Sequence, residues 1–236
     1  MLIRLFQQGT IFCDSLSKQA QRSALLLNQP DKQKTTKSAM RNQNPIRHFS
    51  TWFRTAVRRS PDSWFDPTAM TLATSNKAGN VTARVVLLKK FGPEGFTFYT
   101  NYASRKGRQL SENPRAALVF HWPYLRRQVR IEGTVEPVSR DESRQYFESR
   151  ARLSQIAATV SKQSEVIPTR KFLTEKFRHL RKTLAGGAVP LPKSWGGYRL
   201  VPDSMEFWQH RENRLHDRLR YRKEKSGKWT VERLAP

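Results

Sequence analysis

From Ala69 onward the chain is a succession of short segments rich in β-branched and aromatic residues: AMTLAT, TARVVLLK, FTFYT, AALVFHW and RQVRIEGTVEPV. Turn signals separate them, Asn76-Lys77-Ala78-Gly79-Asn80 and Phe91-Gly92-Pro93-Glu94-Gly95. Connections this short join antiparallel strands, because a parallel crossover needs a dozen residues or more. WGGYRLV, SMEFWQ, HDRLRYR and KWTVERL extend the pattern toward the C-terminus. A chain so dominated by strands must hide its edges, and closure into a barrel does so. The expected fold class is mainly β with peripheral helices.

Helices punctuate the strands. Asn44-Pro45 reads as an N-cap and first helical residue. Ile46, Phe49, Trp52, Phe53, Ala56 and Val57 then recur at helical spacing to about Arg59, where Ser60-Pro61 stops the run. Ser104 can cap a helix through Leu110. Ser139 and Glu142 form a capping box, and a longer helix is expected from Thr169 to Leu184, closed by Gly186-Gly187. Residues 1–43 differ in character. The first 40 of them carry Arg4, Lys18, Arg22, Lys32, Lys34 and Lys37 against Asp14 and Asp31. The expectation is a flexible basic segment followed by one domain over 44–236. A mitochondrial presequence is the other reading of that leader, beside a cytoplasmic location.

The 236 residues carry 44 Lys+Arg against 19 Asp+Glu, a formal net charge of +25. Such an excess suits nucleic acid, an anionic small ligand or a merely solvated basic surface. No zinc-finger spacing, RNP-like segment or long basic block favours the first. No apolar run approaches the roughly 20 residues that span a bilayer, so no membrane partner is expected. The single cysteine, Cys13, excludes an intramolecular disulfide framework. The five histidines are scattered, so no metal site is expected.

Four groupings can carry chemistry. Arg84 and Lys89 flank the apolar VVLL on opposite faces of a strand. Ser104-Arg105-Lys106-Gly107 opens a helix after a strand, where free N–H groups favour an anion. Tyr146, Arg150 and Ser154 lie four residues apart. On one continuous helix, they would line a single face suited to a second phosphate. Arg214, His216 and Arg218 alternate, so on a strand they would face one way. For each, the plain alternative is a packed or solvated side chain.

Several motifs, in order, resemble the pyridoxamine/pyridoxine 5′-phosphate oxidase family. They are ARVVLLK, FYTN-x-x-SRKG, RQVRIEG, YFESRxxxSQIA, SKQS, PKSWGGYRL, EFWQ, NRLHDR and ERLAP. The resemblance runs from Asn44 to Pro236. It implies an FMN-binding split β-barrel of antiparallel, Greek-key strands and a homodimer with FMN at the subunit interface. It also implies oxidation of pyridoxamine 5′-phosphate or pyridoxine 5′-phosphate to pyridoxal 5′-phosphate by O2, releasing H2O2. By the same resemblance, Arg84, Val85, Val86, Leu87, Tyr99, Thr100, Arg105, Lys106, Gln128, Gln163, Ser164, Trp208 and Arg218 match flavin-binding positions. Arg130 falls close to them. Lys89, Tyr146, Arg150 and Ser154 match a substrate-phosphate cradle. Arg214, Leu215 and His216 match the segment that meets the substrate, with Arg214 and His216 as its catalytic pair.

Two departures stand out. Family members usually carry Met-Arg-x-x-Tyr before the first helix, whereas Met40-Arg41 here precedes Asn42-Gln43-Asn44. Gln209-His210-Arg211-Glu212 is bulkier and more charged than usual. A weakly active or non-catalytic vitamin B6-phosphate binding paralogue is therefore the alternative expectation.

Overall fold

The computed structural model describes residues 44–236. The readings placed on the basic leader and on Met40-Arg41 lie outside those residues. Contacts divide the described chain into two compact units. One holds residues 44–70, 119–131 and 203–236, and the other 71–118 and 132–202.

The strands are β1 (Ala69–Ser75), β2 (Val81–Leu87), β3 (Lys90–Gly92), β4 (Gly95–Asn101), β5 (Arg115–Trp122), β6 (Arg127–Pro137), β7 (Trp195–Gln209), β8 (Asp217–Lys223) and β9 (Trp229–Arg233). Their order is β2-β1-β5-β6-β7-β4-β3, with β8 paired to β7 and β9 to β8. The pairs β3/β4, β4/β7, β7/β8 and β8/β9 are antiparallel, and all but β4/β7 are joined by the short connections that imply it. WGGYRLV and SMEFWQ, expected as two strands, form one 15-residue strand that passes through Pro202.

In the first unit, helix α1 (Pro45–Arg58) starts where Asn44 accepts hydrogen bonds from the Ile46 and Arg47 N–H groups. Its aromatic stripe is core. Phe49 and Phe53 pack on Trp122, and Phe49 also meets Phe120 edge-on at 5.0 Å. His48 stacks on Phe207 at 3.9 Å and shares a 3.0 Å hydrogen bond with the Tyr221 hydroxyl. Burial, then the Arg127 charge, pushes its pKa down to about 4 from 6.5. A lowered pKa means the unfolded chain binds the proton more readily. The stabilisation is whole above pH 6.5 and is lost as pH falls toward 4, by about 3 kcal/mol. Replacing His48 with Phe is expected to flatten the fall in melting temperature across that window. Parallel slopes for the two proteins would contradict the assignment.

In the second unit, helix α2 (Arg105–Glu112) is capped by Ser104, whose Oγ accepts from the Gly107 N–H. A Cβ on Gly107 would lie 2.0 Å from the Tyr102 carbonyl oxygen, so only glycine lets this helix start so close to β4. Helix α3 (Arg140–Ser149) is capped by Ser139, but the capping box is half made. Glu142 turns away from its cap to pair with Arg199 at 3.0 Å. Helices α4 (Arg152–Val160) and α5 (Arg170–Thr183) follow. Phe147, Ile156, Val189 and Trp195 form a core against which Phe177, Leu180 and Leu184 pack.

Candidate active site

Two cationic clusters form in the second unit. The first surrounds Lys106, which is only 7% exposed. Its Nζ donates to Gln163 Oε1 at 2.8 Å, Thr100 Oγ1 at 3.1 Å and Ser104 Oγ at 3.3 Å. All three acceptors are neutral. Burial, then the nearby Arg84, lowers its pKa to about 8. Arg84 itself is held by the Leu72 carbonyl at 3.0 Å, by Thr74 Oγ1 at 2.7 Å and by Thr82 Oγ1. Gln109 Oε1 receives both threonine hydroxyl protons, at 2.6 and 2.7 Å, so their lone pairs face the guanidinium. Arg105 stands exposed on the first turn of α2, and that turn has no acidic residue. Gln163 also accepts from Thr100 at 3.1 Å. Ser164, next to it, sits at φ 75 in the left-handed region. Val85 and Leu87 point to solvent on the outer face of β2, while Val86 is half-buried.

The second cluster is aromatic with a cation set into it. Tyr99, Tyr146 and Trp195 lie nearly parallel, with Tyr99 to Tyr146 at 4.0 Å and Tyr99 to Trp195 at 5.6 Å. The Arg150 guanidinium lies 5.0 Å from the Trp195 ring centre. Its Nη1 is buried without a hydrogen-bond partner. A buried charged donor left unpaired is costly, and an anion would satisfy it. Burial pushes the Tyr146 phenol up to about 12, which keeps it a hydrogen-bond donor at neutral pH. Ser154 lies half-buried on α4. Lys89 follows β2, its N–H bonded to the Thr97 carbonyl at 2.9 Å, two residues before Tyr99 on β4.

The clusters meet β4 at neighbouring residues. Tyr99 reaches the aromatic cluster and Thr100 reaches Lys106, because successive strand side chains face opposite ways. The expected single helical face is corrected, however. Helix α3 ends at Ser149, and Arg150 is extended at ψ 151 before α4 begins. Tyr146 and Arg150 converge through this break rather than through a continuous helix.

The first unit carries the remaining positions. Trp208 pairs across β7 and β8 with Arg218, and its ring lies 4.7 Å from His216. Arg218 donates to Glu206 at 2.8 Å and to the Ala235 carbonyl at 2.8 Å. Arg130 meets the same glutamate at 3.4 Å. Gln128 is half-buried on β6. Arg214, His216 and Arg218 do not share a strand face. Strand β8 begins only at Asp217, and Arg214 ends a 3-10 turn with φ 62. Arg214 and Leu215 are exposed, and His216 is half-buried. Sequence reading missed Gln109 and Trp195. The first takes partners 27 and 35 residues away, and the second lay inside the strand and motif WGGYRL without being given a role of its own. No helix among the described residues is long and apolar enough to cross a membrane.

An antiparallel, helix-flanked sheet carrying two cationic clusters is the arrangement of a split-barrel protein. The similarities are consistent with that class. The solved structure of PhzG from Burkholderia lata, in complex with tetrahydrophenazine-1-carboxylic acid, superposes with a TM-score of 0.80 at 29% identity. It covers 87% of this chain and 98% of that one. An FMN-binding, pyridoxamine 5′-phosphate oxidase-related protein from Nostoc punctiforme shares the fold, with a TM-score of 0.64 at 17% identity over 83% and 99% of the two chains.

Residues 62–183 match the family described as pyridoxamine 5′-phosphate oxidase, and residues 195–236 the pyridoxine 5′-phosphate oxidase C-terminal dimerisation region. A pyridoxine/pyridoxamine 5′-phosphate oxidase of Rhodopirellula baltica is 47% identical over 82% of this chain and 87% of its own. One of Polynucleobacter asymbioticus is 51% identical over 82% and 89%. The chain belongs to the pyridoxamine 5′-phosphate oxidase family.

Proposed function

We propose that this protein is an FMN-dependent oxidase, working as a homodimer, that converts pyridoxamine 5′-phosphate and pyridoxine 5′-phosphate to pyridoxal 5′-phosphate. One observation carries the reading. Lys106 and Arg150 are largely buried cations without a carboxylate partner among the described residues, and adjacent residues of one strand reach their two clusters. Two such clusters suit two phosphorylated ligands. The names of relatives near 50% identity support the substrate, and the dimerisation region supports the paired chains.

The residues fit FMN on chemical grounds. Arg84, Arg105, Lys106 and the free N–H groups at the start of α2 are donors without an acidic rival, as a phosphate requires. Thr100, Gln163 and Ser164 would set Lys106 and the adjacent loop around it. Val85, Val86, Leu87, Tyr99, Gln128, Trp208 and Arg218 are assigned to the rest of the cofactor. When bound, FMN supplies the acceptance of a hydride from C4′ of the substrate and the passage of two electrons to O2, giving H2O2. Tyr146, Arg150, Ser154 and Lys89 would grip the substrate phosphate, and Arg214 and His216 would orient its pyridine ring. The alcohol then leaves as the aldehyde. The amine needs one water more and releases ammonia.

Purified protein should show a flavin absorption spectrum and consume O2 with either phosphorylated substrate, producing equimolar H2O2. Bound flavin with tight ligand binding but no O2 uptake would support the binding paralogue instead. No flavin binding and no peroxide with added FMN would overturn the proposal.

A further inference from the structure

The turn that carries Arg214 and His216 is held in an unusual shape. Asn213 and Arg214 are consecutive left-handed residues, at φ 53 and 62, and neither is glycine. Such backbone persists only when its surroundings hold it. Beside the turn's own backbone bonds, Leu215 N–H to the Glu212 carbonyl at 3.1 Å and His216 N–H to the Arg214 carbonyl at 2.9 Å, the Asp217 carboxylate ties it at both ends. Its Oδ2 accepts from Arg211 Nε at 2.7 Å, at the start of the turn. Its Oδ1 accepts from Arg233 Nη1 at 2.8 Å, at the end of β9. The Leu234 N–H adds a 3.0 Å bond to the Arg218 carbonyl. The C-terminal tail is thereby tied to the turn.

The same arrangement settles a proton. The Arg211 backbone N–H donates to His216 Nδ1 at 3.1 Å. A backbone amide can only donate, so Nδ1 must offer its lone pair, and the neutral ring carries its hydrogen on Nε2. Trp208 at 4.7 Å and His210 at 5.1 Å flank the ring.

We propose that Asp217, clasped between Arg211 and Arg233, is a positioning residue that shapes the Arg214–His216 turn and fixes His216 as the Nε2–H tautomer. Resting on the function proposed above, this makes the neutral His216 a hydrogen-bond donor toward the substrate through Nε2, not a base at that atom. Arg233 then contributes to the reaction from the chain's end without touching substrate.

The test compares Asp217→Asn, Arg233→Ala and Arg233→Lys with a control on the same hairpin. That control is Glu232→Gln, which removes the Arg220 and Arg222 pairs at 2.6 and 3.0 Å. Asp217→Asn and Arg233→Ala are expected to lower kcat about 10-fold or more, with FMN affinity within twofold. Arg233→Lys should recover part of the loss, and Glu232→Gln should leave kcat within twofold. Equal losses in Asp217→Asn and Glu232→Gln would reduce Asp217 to a strut of the hairpin and overturn the proposal. Nitrogen-15 NMR of full-length protein labelled at histidine gives a readout independent of turnover, with His216→Asn assigning the resonance. Wild type should show a protonated Nε2 and bare Nδ1, and Asp217→Asn a mixture of tautomers. A wild-type Nδ1–H form would refute the tautomer whether or not the protein is an oxidase.

Discussion

Arg150→Leu should raise KM for pyridoxine 5′-phosphate about 100-fold while leaving bound FMN unchanged. The reasoning starts from the buried, unpartnered Nη1. A guanidinium bonded to a phosphate contributes about 1.5–3 kcal/mol per charged hydrogen bond. A loss near 2.7 kcal/mol is about 100-fold in affinity. Leucine keeps apolar contact with Trp195 and Phe147, which the guanidinium now covers at 5.0 and 5.9 Å. The fold should therefore survive, and circular dichroism melting checks that it does. The preference for phosphorylated over unphosphorylated pyridoxine should shrink by the same factor. Steady-state kinetics with both compounds measure it, and an unchanged KM ratio would remove Arg150 from the phosphate cradle.

Lys106→Met should weaken FMN binding about 100-fold, read by quenching of flavin fluorescence. The wild type should also show a pH dependence that the variant lacks. With its pKa lowered to about 8, Lys106 is charged below that pH and loses its charge above it in the free protein. Bound phosphate favours the charged form, so affinity should fall between pH 8 and about 9.5, by up to tenfold per unit. Methionine occupies similar volume and cannot titrate, so its curve should be flat in that window. Parallel curves would show that Lys106 does not meet the phosphate.

Much of the fold was legible because its signals are local. Short connections announced antiparallel pairing, and the caps at Asn44, Ser104, Ser139 and Thr169 lie where oxygen-bearing side chains precede helical runs. The misreadings share a physical origin. Spacing of four residues suggested one helical face for Tyr146, Arg150 and Ser154, but spacing cannot report that Arg150 leaves the helix with an extended backbone. Alternation suggested a strand for Arg214, His216 and Arg218. The chain instead makes a turn there, with Asn213 and Arg214 left-handed, and the strand starts only at Asp217. Asn213 was the available hint, since asparagine tolerates that region better than most residues. WGGYRLV and SMEFWQ read as separate strands, yet β7 runs on through Pro202. Gln109 left no pattern at all, because its role is defined by threonines on two distant strands.

The alternation of Tyr99 and Thr100 makes β4 a ruler. The pairing of Thr100 with Gly196 and Tyr99 with Gly197 fixes where each cluster begins. A Cβ on Gly197 would sit 2.7 Å from the Tyr99 ring, so glycine there is what lets the ring lie against β7. The offset between the two cationic clusters is thus set by backbone pitch, not by adjustable side chains. Changing that offset would take a slip of strand register, and a slip of one residue would turn both clusters to the opposite face at once.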